Sequence, residues 1–260
     1  MRRTIVAIAC FTTYDAALAD PIQPRFVDRS TALPVEHIYA GGWEHFVGGG
    51  VAVFDCNADG FPDFFAAGGT NPSRLFINQT MEVGGDLTFE VAEGAIAFEG
   101  VTGAYPINID GDDHTDLVVL RVGENLALRG VGNCQFERAN EGWNFNGGDA
   151  WSTSFSATWE DGNDWPTLFI GNYVDRDDPD GPFEACDSNQ LFRPAGTGFA
   201  SSIELKPGFC ALSALISDEL RTGRRDLRIS NDRHYYVRGG AEQKLRLDTL
   251  EFLSEEDGWP

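Results

Sequence analysis

Short apolar runs, separated by stretches rich in glycine and polar residues, recur along the chain from residue 51 onward. The first group is Val51-Ala52-Val53-Phe54, Phe64-Phe65-Ala66-Ala67, Leu75-Phe76-Ile77-Asn78 and Leu87-Thr88-Phe89-Glu90. A second holds Leu117-Val118-Val119-Leu120, Leu126-Ala127-Leu128-Arg129 and Gln135-Phe136-Glu137. A third holds Leu168-Phe169-Ile170-Gly171, Gln190-Leu191-Phe192-Arg193 and Gly198-Phe199-Ala200. The fourth offers Leu227-Arg228-Ile229-Ser230 and Gln243-Lys244-Leu245-Arg246-Leu247. Runs of this length between turn-forming residues read as strands. Outside the N-terminus no stretch of more than ten residues carries a helical repeat, and 30 glycines supply turns. The pattern predicts an all-β chain.

What precedes the Phe64, Leu117, Leu168 and Leu227 runs is chemically specific. Asp55, Asn57, Asp59 and Asp63 stand at positions 1, 3, 5 and 9 of one loop, with Gly60 at position 6. Side-chain oxygens so spaced converge when the backbone turns sharply, and hard cations that take six to eight oxygens fill the point of convergence. The second copy runs from Asn108 to Asp116, with Asp110 and Asp112 at positions 3 and 5. The flanking strands and Ala66 at position 12 distinguish these loops from an EF-hand, which needs helices and a glutamate there. We therefore expect two calcium ions. The first is held by Asp55, Asn57, Asp59, Asp63 and the carbonyl of Phe61, the second by Asn108, Asp110, Asp112, Asp116 and the carbonyl of His114.

Two further copies are degraded. The loop from Trp159 to Thr167 has lost the acids at positions 1 and 9. The loop from Asp218 to Asp226 keeps its end carboxylates but places Leu220 at position 3 and arginines around the turn, which predicts an arginine in place of a metal. Position 9 of the four loops falls at residues 63, 116, 167 and 226, a period of 53, 51 and 59 residues. Units of that length with several strands each predict the four-stranded blades of a β-propeller.

The loop-and-strand unit resembles the FG-GAP or VCBS repeat of integrin-type propellers. The segments 224–236 and 166–175, together with Glu256-Asp257-Gly258-Trp259, resemble the cartilage acidic protein family and its bacterial relatives over most of residues 40–260. The resemblance implies a secreted, calcium-stiffened propeller of seven or so blades without catalytic activity. Relatives continue past the Asp-Gly-Trp into further blades. Four units would then make an incomplete ring, marginally folded or self-associating through its open blade faces.

Composition adds a compartment. Residues 1–19 carry two arginines, an apolar stretch and Ala17-Leu18-Ala19, read as a secretory signal, with 20–39 as a lead-in. Removing Arg2, Arg3 and Asp15 takes the formal charge from −22 to −23. A protein so acidic is repelled by nucleic acid and by anionic membrane surfaces, and no apolar run reaches the length of a membrane-spanning helix. The expected location is secreted, periplasmic or cell-surface. Cys56, Cys134, Cys186 and Cys210 remain, and four cysteines in an oxidising compartment allow three connectivities. Cys186 with Cys210 is favoured because both lie in or beside the longest loop-like insertion. Cys56, whose side chain at position 2 points away from a metal, reads equally as a small buried residue.

No catalytic constellation emerges. His37, His45, His114 and His234 lack metalloprotease spacing, and no nucleophile elbow occurs. His234 with Tyr235 and Tyr236 reads first as a turn, and Trp143, Trp151, Trp159 and Trp165 as filling between blades rather than a sugar platform. The expected function is a non-enzymatic binding module for an extracellular protein or glycan. The alternative is a calcium-dependent polysaccharide lyase or glycosidase, which would need a converging catalytic pair that the two lysines, Lys206 and Lys244, and the arginines of 221–238 do not supply.

Overall fold

The second strand of a unit is apolar without a break because both of its faces are covered. In the computed structural model, which describes residues 23–92, 96–232 and 236–257, alternate residues of one such strand enter two different cores. Leu117 and Val119 pack with Phe65 and Leu75 of the preceding unit. Val118 and Leu120 pack with Leu168, Ile170 and Phe192 of the following one. This is the two-residue period of a strand with both faces buried. Each such side chain contributes about 1.5–3 kcal/mol relative to its exposed state.

The units are antiparallel meanders. Blade 1 comprises β1 (Val51–Phe54), β2 (Asp63–Ala66), β3 (Arg74–Asn78) and β4 (Phe89–Val91). Blade 2 comprises β5 (Val101–Ile107), β6 (Asp116–Arg121), β7 (Leu126–Gly130) and β8 (Phe136–Arg138). Blade 3 comprises β9 (Ser152–Thr158), β10 (Thr167–Asn172), β11 (Asn189–Phe192) and β12 (Ile203–Leu205). Blade 4 has β13 (Ala211–Ser217), β14 (Asp226–Asn231) and β15 (Gln243–Arg246), with one bridge from Leu245 to Phe252 in the place of a fourth strand. The first strands lie side by side, β1 against β5, β5 against β9 and β9 against β13. The fold is all-β, four successive propeller blades with the first strand of each innermost.

Several expectations shift in position. The fourth strand of blade 3 lies at Ile203–Leu205 rather than 198–200, where Phe199 forms only a bridge to Pro194. Blade 4 has three strands, not four. The blades also share a polar brace. Asn125, Asn189 and Glu242, just before the third strand or at its start, accept the backbone amides of Arg121, Asn172 and Asn231 at 2.9 Å each. Where blade 3 meets blade 4, Gly171 leaves little room for a side chain, since a Cβ there would lie 2.9 Å from the Cβ of Ala211 in β13.

Two disulfides cross-link the blades. Cys186 bonds Cys210, as favoured from the sequence. Cys56 bonds Cys134, joining the β1–β2 loop to the β7–β8 turn of the next blade. Among the tryptophans, Trp143, Trp151 and Trp165 are buried between or above blades, and Trp159 is exposed. Val51 and Val53 of β1 and Leu212 and Leu215 of β13 are exposed. No helix among the described residues is long and apolar enough to cross a membrane. The signal expected at 1–19 and the cluster's Arg233, His234 and Tyr235 lie outside the described residues.

Candidate metal centre

Both acidic loops close the hairpin between the first and second strands of a blade, and position 9 is the first residue of the second strand. Asp63 and Asp116 are fully buried. Asp63 accepts the amides of Cys56 and Asn78, both at 2.8 Å. Asp116 accepts those of Ile109 at 2.7 Å and Gly130 at 2.9 Å. Each carboxylate thus ties loop position 2 to the end of the third strand, and Asp63 Oδ2 also lies against the disulfide, 2.9 Å from Cys56 Sγ and 3.6 Å from Cys134 Sγ. Burial raises the pKa of Asp63, its two amide donors lower it, and Asp59 and Asp55 raise it further. The Asp116 carboxyl is pushed up to about 6 for the same reasons, with Asp110 and Asp112 as its acidic neighbours. A buried carboxylate beside other carboxylates calls for a proton or a cation.

Loop 1 ties Asp55, Asn57, Asp59 and Phe61 to one another by hydrogen bonds, but it does not bring the carboxylates of Asp55, Asp59 and Asp63 within 4.8 Å of one another: among the described residues, Asp63 groups instead with Cys56 and Cys134. Asp55 accepts the amides of Asp59 at 3.2 Å and Gly60 at 2.8 Å. Asn57 bonds Asp59 through its side-chain amide at 2.9 Å, and Asp59 accepts the amide of Phe61 at 2.7 Å. Among the described residues no lysine or arginine pairs with Asp55, Asp59 or Asp63. Three carboxylates, one side-chain amide and a backbone carbonyl, with no positive charge among them, are the oxygen donor types that suit a hard divalent cation. The neighbouring trio of Cys56, Asp63 and Cys134 is not a thiolate site, because the two sulfurs are bonded to each other.

Loop 2 differs. The Arg129 guanidinium spans the two central carboxylates, Nε to Asp110 at 2.6 Å and Nη2 to Asp112 at 2.9 Å. Asn108 donates its side-chain amide to the carbonyl of Asp112 and accepts the amide of Gly111 at 2.8 Å. The glycine also stands elsewhere. Loop 1 is left-handed at positions 4 and 6, Ala58 (φ 60°) and Gly60 (φ 85°), whereas in loop 2 only Gly111 at position 4 (φ 75°) is so. His114 at position 7 donates its amide to Asp112 at 2.8 Å, as Phe61 does to Asp59, and its ring is incidental.

In the degraded loops, side-chain cations take over. Arg193 grips Glu160 through both carboxylate oxygens at 2.6 and 2.8 Å. Lys244 stands 3.2 Å from both Asp226 and Glu219. The arginine expected at the fourth turn is there, Arg228 pairing with Glu219, and Lys244 joins it, a residue the sequence did not point to.

The third strands explain the pattern. Position 10 of each loop pairs across the sheet with Phe76, Leu128, Phe192 and Leu245 in turn. The next residue is therefore equivalent in all four blades. It is Ile77, Arg129, Arg193 or Arg246. A repeated ending, Leu-Arg, Phe-Arg and Leu-Arg against Phe-Ile, was the signal in the sequence.

Away from the metal loops, a cavity of about 330 Å³ opens where β1, β5 and β9 meet, lined by Gly50, Val51, Thr102, Tyr105 and Thr153 among others. Its one titratable group, the Tyr105 phenol, is raised by burial. At the ends of the blades opposite the acidic loops lies an aromatic cluster. Buried Trp151 and Tyr173 meet Trp43 and Phe46, which are 47% and 60% exposed. Tyr173 donates to Asp232 at 2.5 Å.

No family model matches the chain, and no curated protein does. Solved structures similar to it include two of BBS1N in complex with ARL6DN, one soaked with lead and one with mercury. Their TM-scores are 0.48 and 0.45 at 13% and 12% identity. Each match covers 85% of this chain and 57% or 55% of the other, so the chain spans less than two thirds of their length.

Proposed function

We propose that this protein is an extracellular, non-enzymatic propeller module stiffened by calcium at loop 1, which presents a face for a protein or glycan partner. The observation that carries the reading is the acidic spacing of Asp55, Asn57, Asp59 and buried Asp63, which no lysine or arginine among the described residues neutralises. The two disulfides support an oxidising compartment. Calcium bound there would supply the countercharge that Asp63 lacks and hold the β1–β2 hairpin to the end of β3. The partner face is assigned to the opposite ends of the blades. There Trp43 and Phe46 are exposed over a rigid aromatic base, beside the Arg176–Glu44 ion pair at 3.1 Å. Large aromatic side chains with polar neighbours are a favourable composition for recognition.

Thermal unfolding tests the metal. A tenfold excess of calcium over its Kd adds about 1.4 kcal/mol to the native state, which for a chain of this size raises Tm by a few degrees. Chelator should remove that gain, and Asp59→Ala should abolish the difference between calcium and chelator. A wild-type protein whose Tm ignores calcium overturns the proposal.

A further inference from the structure

We propose that loop 2, despite its full set of acidic positions, does not take calcium, because Arg129 is its built-in counter-ion. The inference concerns the division of labour between the loops and rests on the calcium reading of loop 1 only for its comparison.

Three observations carry it. The guanidinium is a planar fork that satisfies two carboxylates at once, and here it lies across Asp110 and Asp112 at 2.6 and 2.9 Å, the two side chains a metal would need most. The position that holds it is not accidental. The same register position carries Arg193 and Arg246 in blades 3 and 4, where the loops have lost ligands, and an uncharged Ile77 in blade 1, where the acids have no cation. Arg193 does for Glu160 what Arg129 does for loop 2. Finally, Asn108 turns its amide onto the Asp112 carbonyl, and position 6 is not left-handed as it is at Gly60. Loop 2's first residue is thereby tied to the carbonyl of its fifth, whereas in loop 1 the first residue, Asp55, accepts the amides of Asp59 and Gly60.

The blades form a graded series. Blade 1 has acids and no arginine, blade 2 has both, and blades 3 and 4 have the arginine with an incomplete loop. In blades 2 and 3 the arginine at this position neutralises the loop's acids, whereas in blade 4 Arg246 pairs with Asp257 at 3.8 Å and Lys244 and Arg228 serve the loop instead. In an arginine-neutralised loop, stability is independent of calcium concentration.

Calorimetric titration of the full chain with calcium chloride, after exhaustive chelation, reads the stoichiometry. Wild type should bind one ion. Arg129→Gln, with its fold checked by circular dichroism, should bind two, the second absent from wild type at concentrations at least tenfold above the first site's Kd. Two ions in wild type overturn the inference and leave the calcium reading of loop 1 intact. One ion in both proteins shows that Arg129 is not what closes the loop, and overturns it as well. None in wild type but one in Arg129→Gln upholds the inference while removing loop 1 as a site. None in either overturns both. The wild-type count decides between one and two sites even if the variant fails to fold.

Discussion

At the scale of single residues, the acids at position 9 do structural work before any metal arrives. Asp116 is buried, and its carboxyl is pushed up to about 6, chiefly by that burial, from about 3.9 in an unfolded chain. The folded state then holds the proton more tightly than the unfolded one. Its contribution to stability is full below about pH 4 and is lost as pH rises through about 6. In chelator, urea unfolding of wild type and Asp116→Asn at pH 4, 5.5 and 7 should show the wild type losing ground to the variant as pH rises. A gap that stays constant or reverses would contradict this account of Asp116. Calcium at a neighbouring loop cannot produce the effect, because the chelator removes it.

At the scale of the hairpin, what recurs is a left-handed residue at position 4, namely Ala58, Gly111, Gly162 and Arg221, with φ between 54° and 83°. L-residues other than glycine carry a cost there of about 1–2 kcal/mol. Ala58→Gly should therefore raise stability by about 0.5–1 kcal/mol after the entropy of glycine in the unfolded chain is subtracted. Gly111→Ala should lower it, although open space surrounds that Cβ. Urea denaturation of both variants is the check, and a stabilised Gly111→Ala would refute it. The sequence pointed to position 6, because Gly60 stands there in loop 1. The second and third strands were legible because burial on both faces makes them continuously apolar. The inner strands β5, Val-Thr-Gly-Ala-Tyr-Pro-Ile, and β9, Ser-Thr-Ser-Phe-Ser-Ala-Thr, were not. They mix small and polar residues because they face an opening and bond across blades, as Thr153 does to the carbonyl of Ala211 at 2.5 Å. The acidic loops were legible from fixed spacing within nine residues. The arginines at the equivalent position, two of which answer the acids, were not, because they follow position 9 by 13, 26 and 20 residues in blades 2 to 4, and only strand register makes them equivalent.

At the scale of the molecule, covalent bonds link neighbouring blades over very different lengths of chain. Cys56–Cys134 spans 78 residues and Cys186–Cys210 spans 24. In the chain-entropy model these closures are worth about 4.5 and 3.5 kcal/mol. Replacing the first pair by serines should thus cost more than replacing the second, measured by guanidinium unfolding under non-reducing conditions, and the reverse order would show that local packing outweighs loop closure. From the sequence Cys56 reads equally as a bridging or a small buried residue, because its partner belongs to the next blade, which no local spacing reveals. The longer closure also encircles the exposed β3–β4 connection, where Met81 and Val83 stand almost wholly in solvent. A protease that cuts there severs the chain without releasing either piece, so this protein can be nicked in its surroundings and still travel as one covalent body.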